Sequence, residues 1–279
     1  MNIFGELNVF DNGSINKDFL YIATISHNNP RYVEEFIRLN DKYIDNDKRF
    51  VIFDSSKDDI IANDIKNICV DKGVLYNRFS VNDCRLNEIQ TKIGLKMNFI
   101  YNFYFKSMGI RYGGFLQSDF YYIKKIDILT YLKNFGYFGI ILTDQSPNYL
   151  WQGNCFFDNE IYKDLNFLPN AWYSKEFVSC NDNEPTGECG VMNYKIVDNC
   201  YDFIFELSDS DWSDNIIIIP KEEIEEIDKI GYYQSYERSC KYKFNDYYIH
   251  AINGSSWDPY VSKYYLFKEE KMLSILEKY

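Results

Sequence analysis

Through residue 143 the chain alternates short apolar runs with stripes of helical period. Residues 19–26 (FLYIATIS) form an apolar run ending in polar residues, and Asn28-Asn29-Pro30 then offers a cap and a first-turn proline. Val33, Phe36 and Ile37 give the following helix its buried face. Residues 49–53 (RFVIF) read as a second buried strand closed by Asp54, followed by an amphipathic stretch through Ile60, Ile61, Ile65 and Ile68. Residues 74–79 supply a third strand. Residues 86–108 carry a long helical pattern, which Gly94 is placed to interrupt or shorten, and lead into a strand over 112–119 that ends on Asp119. A helix over 125–136 and a strand over 137–143 complete the series.

Strands separated by helices at this spacing predict an α/β fold with a mostly parallel central sheet and helices on both faces, because parallel strands need crossovers. Such sheets bind ligands beyond the carboxyl ends of their strands. That rule singles out residues 26–28, 54–56 and 118–119. Beyond Asp144 the alternation fades into an aromatic, loop-rich stretch reaching about Glu188, the kind of segment that builds acceptor surfaces. Later strands are expected at 215–220 and 241–252, and a terminal helix at 260–279. With no repeat, low-complexity tract or linker, residues 1–279 read as a single domain. Residues 1–143 carry the strand–helix alternation and 144–279 the less regular remainder.

Composition narrows the function. A 46% hydrophobic chain of 279 residues buries a large core, which excludes disorder. Its net charge of −12 opposes sequence-independent binding to nucleic acid or an anionic membrane, although a polyphosphate still binds where a cation and helix N-termini supply positive charge locally. Seven cysteines without C-x-x-C pairs suggest a reducing compartment. With no signal-peptide pattern and no apolar run approaching the ~20 residues of a membrane span, a cytoplasmic protein is expected.

Asp119 follows an apolar strand, where a carboxylate either ends the strand, caps the helix near Lys125, or faces the crevice as an oxygen ligand for a hard cation. His250, one of two histidines, follows an apolar-aromatic strand and precedes Gly254-Ser255-Ser256, a turn whose backbone N–H groups suit an anion. It reads either as a satisfied strand residue or as an imidazole ligand, better for Mn²⁺ than for Mg²⁺. Trp151 and Trp257 are candidate walls for a sugar ring, with Trp172 as a further one; core roles are the ordinary alternative. Glu188, between Gly187 and Gly190, and Asp144, closing a strand, are candidate general bases or plain turn and cap residues.

In order, ATISHNNP, RFVIFDSS, FLQSDFYYIKKID and IHAINGSSW resemble the nucleotide loop, second-strand acid, DxD region and C-terminal His segment of the GT-A, Rossmann-type glycosyltransferases, over residues 19–257. The resemblance implies a hexosyl- or pentosyltransferase that moves a sugar from a UDP- or GDP-linked donor to a glycan, glycoprotein or other hydroxyl acceptor, with Mn²⁺ or Mg²⁺ bridging the diphosphate. It further implies that Ser26, His27 and Asn28 lie beside the nucleotide, that Asp54 contacts base or ribose, and that Asp119 and His250 hold the metal. Lys92, Lys96, Asn98, Gln117 and Ser118 would face the donor together with Gly254 and Ser255. Gln117 stands where the family has the first Asp of DxD, which weakens the metal site and leaves open a catalytically inactive glycan- or nucleotide-binding domain. A nucleotidyltransferase is the competing enzyme, though no G-x-G-x-x-G or Walker sequence follows the first strand.

Overall fold

The computed structural model describes residues 15–79, 89–142, 149–163, 165, 216–218, 241–244, 247–251, 269–270 and 272–279. Among these, the strands form two sheets. The first has the order β3(Leu75–Arg78), β2(Lys48–Asp54), β1(Leu20–Ser26), β4(Tyr112–Leu116), β7(Tyr149–Asp158), β6(Tyr137–Leu142). β1 to β4 run parallel, and β7 is antiparallel to both of its neighbours. The second is antiparallel, in the order β5(Phe120–Tyr122), β10(Tyr248–His250), β9(Lys241–Phe244), β8(Ile216–Ile218).

The period-two alternation of β1 divides the core in two. Leu20 and Ile22 face one side, with Tyr32, Val33 and Phe36 of α1(Pro30–Tyr43), Ile65 of α2(Asp59–Asp71), Leu132 of α4(Ile128–Phe135), and Phe120 and Ile249 of the small sheet. Tyr21 and Ala23 face the other side, with Met97 and Ile100 of α3(Ile89–Ile100) and with Tyr101, Tyr104 and Phe105. Helices therefore cover both faces, as the alternation predicts. As expected, α1 starts with Asn29 accepting from the Tyr32 N–H and Pro30 in the first turn.

Several expectations are corrected. Gly94 does not interrupt α3, which continues into a π-helical turn over Tyr101–Lys106 that directs Tyr101, Tyr104 and Phe105 inward. The loop-rich stretch after Asp144 contains β7, ten residues long and inside the main sheet. Gln152-Gly153-Asn154 break its apolar run, and an antiparallel strand needs no crossover helix to announce it. Asp119 does not end a strand: β4 stops at Leu116, residues 117–120 turn, and β5 begins at Phe120. Within 241–252 there are two strands rather than one. Among the described residues, no helix is long and apolar enough to cross a membrane.

Candidate functional site

The chain lays down β2 and β3 on one side of β1, then returns to place β4 on the other. That reversal leaves a crevice at the carboxyl ends of β1 and β4, where ligands settle in open α/β sheets. Two loops emerge there: His27 to Asn29 after β1, and Gln117 to Asp119 after β4.

The first loop is tied to the one following β2. Ser26 pairs in register with Asp54, and Ser55 N–H donates to the Ser26 carbonyl at 2.9 Å. Asp54 is fully buried. Its Oδ1 accepts from the Ser56 hydroxyl at 2.6 Å, the Ser56 N–H at 2.8 Å and the Ser26 hydroxyl at 3.3 Å, and its Oδ2 from the Tyr76 hydroxyl at 2.9 Å. Burial, then the Asp54 charge, push the Tyr76 phenol far up, so it stays a donor. Its carboxylate is thus enclosed, and it holds the loops after β1 and β2 together. The Ser56 hydroxyl in turn accepts from the Asn28 N–H at 2.8 Å, and Asn28 takes the left-handed conformation, φ +53°.

His27 Nδ1 lies 2.9 Å from the Ser55 carbonyl and Nε2 3.2 Å from Asn28 Nδ2. A carbonyl only accepts, so Nδ1 carries the proton and Nε2 accepts. Burial is the main cause holding the His27 pKa below 6.5, with Lys96 and Lys57 acting in the same direction. Lys96 also sits over the Phe79 ring, 5.5 Å from its centre. Asn98 is half-buried, and its carbonyl accepts from the Asn102 side chain at 2.7 Å.

The second loop is a tight turn. Phe120 N–H donates to the Gln117 carbonyl at 3.0 Å, and Gln117 N–H donates to the Gly153 carbonyl of β7 at 2.9 Å. Gln117 is half-buried and Ser118 buried. Asp119 is 7% exposed and His250 5%, with Oδ1 and Nε2 3.7 Å apart. Strand pairing creates this approach: Phe120 stands opposite His250, and Ala251 N–H donates to the Asp119 carbonyl at 2.9 Å. Asp119 is not the cap of α4, since Asp127 fills that position by accepting from Thr130 N–H at 3.0 Å.

One carboxylate oxygen and one imidazole nitrogen, buried and convergent, fit a divalent cation that takes both hard oxygen and nitrogen ligands. Among the described residues no three His, Cys, Asp or Glu side chains gather, so the pair by itself offers a cation two protein ligands. The Cys69 and Cys155 thiols are buried and pushed up to about 12, which disqualifies both as nucleophiles.

No known protein-family model matches the chain, and no curated protein matches it. Among solved structures it is similar to S. aureus TarS, with 13% identity and a TM-score of 0.37 over 54% of this chain and 30% of that one. It is also similar to the mannosyltransferase Ktr4p from S. cerevisiae, with 13% identity and a TM-score of 0.35 over 92% of this chain and 61% of that one. The chain thus spans less than two thirds of either protein. Overlaps this low assign nothing, and the functional reading rests on the site.

Of the sequence candidates, the structure brings together Ser26, His27, Asn28 and Asp54 in one network and Asp119 with His250 in another. Lys92 lies in α3 and Trp151 on β7, with side chains outside the description. Asp144, Glu188, Trp172, Gly254, Ser255, Ser256 and Trp257 lie outside the described residues. Ser56, within the strand-end residues 54–56 singled out from the sequence, is a main partner of Asp54; sequence reasoning missed its other partner, Tyr76, and Asn77 on β3, whose buried carboxamide has neither atom hydrogen-bonded. It also missed Asn40. The signal was present: Asn40 continues the stripe of Val33, Phe36 and Ile37 at the position where a core residue is due.

Proposed function

We propose that the chain is a metal-assisted, GT-A-type glycosyltransferase that takes a sugar from a nucleoside diphosphate. The observation that carries this reading is the buried Asp119–His250 pair, 3.7 Å apart at the crevice between β1 and β4. Asp119 Oδ1 and His250 Nε2 would hold a divalent cation, which when bound would supply neutralisation of the charge on the diphosphate leaving group. The N-terminus of α1, beside His27 and Asn28, adds the positive end of a helix dipole toward the phosphates. Asp54, Ser56 and Tyr76 hold the nucleotide loops in place. Ser118, Gln117, Lys92, Lys96, Asn98, Gly254 and Ser255 remain donor contacts in this proposal, and Trp151 and Trp257 acceptor walls. Glu188, or else Asp144, takes the acceptor proton if the reaction inverts.

Thermal unfolding tests the reading. Mn²⁺ with a nucleoside diphosphate should raise Tm, by about 2.7 kcal/mol of stabilisation when free ligand reaches about 100 times Kd. Asp119→Ala and His250→Ala should each weaken that response, and a response indifferent to chelator removes the metal. Gln117 favours a second reading, a donor-binding domain without transfer. Hydrolysis of nucleotide-sugars screened with Mn²⁺ separates the two.

A further inference from the structure

We propose that Asn40, on the inner face of α1, is the positioning residue of the Asp119–His250 pair; the inference rests on the reading of that pair as the working site. Asn40 has no solvent exposure. A buried carboxamide is costly unless both of its ends are hydrogen-bonded. Here both are. Nδ2 donates to the Phe120 carbonyl at 2.9 Å, and Oδ1 accepts from the Tyr122 N–H at 3.0 Å. Those two groups lie on alternate residues of one strand edge, the pair that a neighbouring strand would engage. A single side chain from a helix thus replaces a strand.

The edge it closes is the one that β10 leaves open. On the other edge, Asp119 carbonyl accepts from Ala251 N–H at 2.9 Å, and Ile123 N–H donates to the Tyr247 carbonyl at 2.8 Å. Among the described residues, β5 therefore has β10 on one side and Asn40 on the other. Pairing with β10 sets the register of Asp119 against His250, while Asn40 fixes where the strand stands against α1. Phe120, directly after Asp119, has its N–H bound to Gln117 and its carbonyl to Asn40. Its ring lies 5.8 Å from the His250 ring, centre to centre. Displacing Phe120 therefore moves both members of the pair. By contrast, His27 belongs to the loop before α1 and shares no hydrogen bond with Asn40.

The test uses the full chain with Asn40→Leu, which keeps volume and removes both bonds, and Asn40→Asp, which keeps the shape and, when ionised, cannot donate to Phe120. His27 and His250 are the two histidines of the sequence, so imidazole NMR signals of the metal-free protein report on each loop separately. The expected result is a displaced His250 signal and an unmoved His27 signal, in a variant that circular dichroism shows to be folded. Mn²⁺ affinity in the presence of a nucleoside diphosphate, read by electron paramagnetic resonance, should fall about 10- to 100-fold, the range for residues supporting metal ligands. If Asn40→Leu does not fold, Asn40→Asp carries the test. An unmoved His250 signal overturns the inference, as does equal movement of both histidines, which denotes general loosening. Should the parent chain fail to bind Mn²⁺, it is the metal reading that falls, and the histidine signals still decide the role of Asn40.

Discussion

His27 donates from one ring nitrogen and accepts at the other, an arrangement available only to neutral imidazole. Because its folded pKa is lowered below 6.5, the unfolded chain takes up a proton first as pH falls. Its contribution to stability is therefore complete above 6.5 and is lost progressively below it. Urea unfolding between about pH 5 and 7 should show that decline, and His27→Gln should flatten it. Lys96 and Lys57, which disfavour the imidazolium, and Asp54, which favours it, are the charges that set the size of the effect. Asn77 offers a second residue-scale test. It is 3% exposed with both amide atoms unpartnered, so Asn77→Val should be neutral or stabilising by about 1 kcal/mol in the ligand-free protein. Loss of nucleoside diphosphate binding in the same variant would assign the carboxamide to the ligand.

At the scale of elements, β4 and β7 lie together because Gly114 leaves room for a ring. A Cβ there would stand 2.1 Å from Phe156 Cδ1, and Phe156 is the residue paired with it. Gly114→Ala should cost about 1–3 kcal/mol by overpacking, measured by chemical denaturation. Much of this sheet was legible in the sequence: β1, β2, β3 and β6 are apolar or mixed runs bounded by polar residues, with helical stripes between most of them. β7 was hidden because its middle is polar and it enters without a crossover. β5 merged with the run before it, since the turn at Gln117-Ser118-Asp119 holds neither Gly nor Pro. The candidate ligands Asp119 and His250 were legible as polar residues beside apolar runs, although Asp119 sits in a turn rather than at a strand end, and their 3.7 Å approach depends on pairing in a sheet that periodicity does not reveal. Asn40 and Tyr76 escaped notice for a related reason, as their partners are backbone or side chains distant in sequence.

Across the whole molecule, α1 joins the loop after β1, the small sheet and residues 269–279. Arg31 pairs with Glu269 at 3.2 Å, Arg38 donates to the Leu276 carbonyl at 2.9 Å, and the Tyr43 hydroxyl donates to the Tyr279 carbonyl at 3.1 Å. Met272 and Leu276 are buried in the same core as α1. Leu276→Ala should therefore cost about 2–5 kcal/mol, measured by chemical denaturation, with α1 amides losing hydrogen-exchange protection first. The pairing of β5 with β10 has a consequence in time as well as space. Phe120 and His250 are 130 positions apart (250 minus 120), so their strands meet only after a long loop closes. During synthesis, the parallel strands and α1 leave the ribosome well before β10 does. A nascent or truncated chain would thus display the loops after β1 and β4 with Asp119 lacking its histidine, and completion of the pair becomes a late checkpoint of folding.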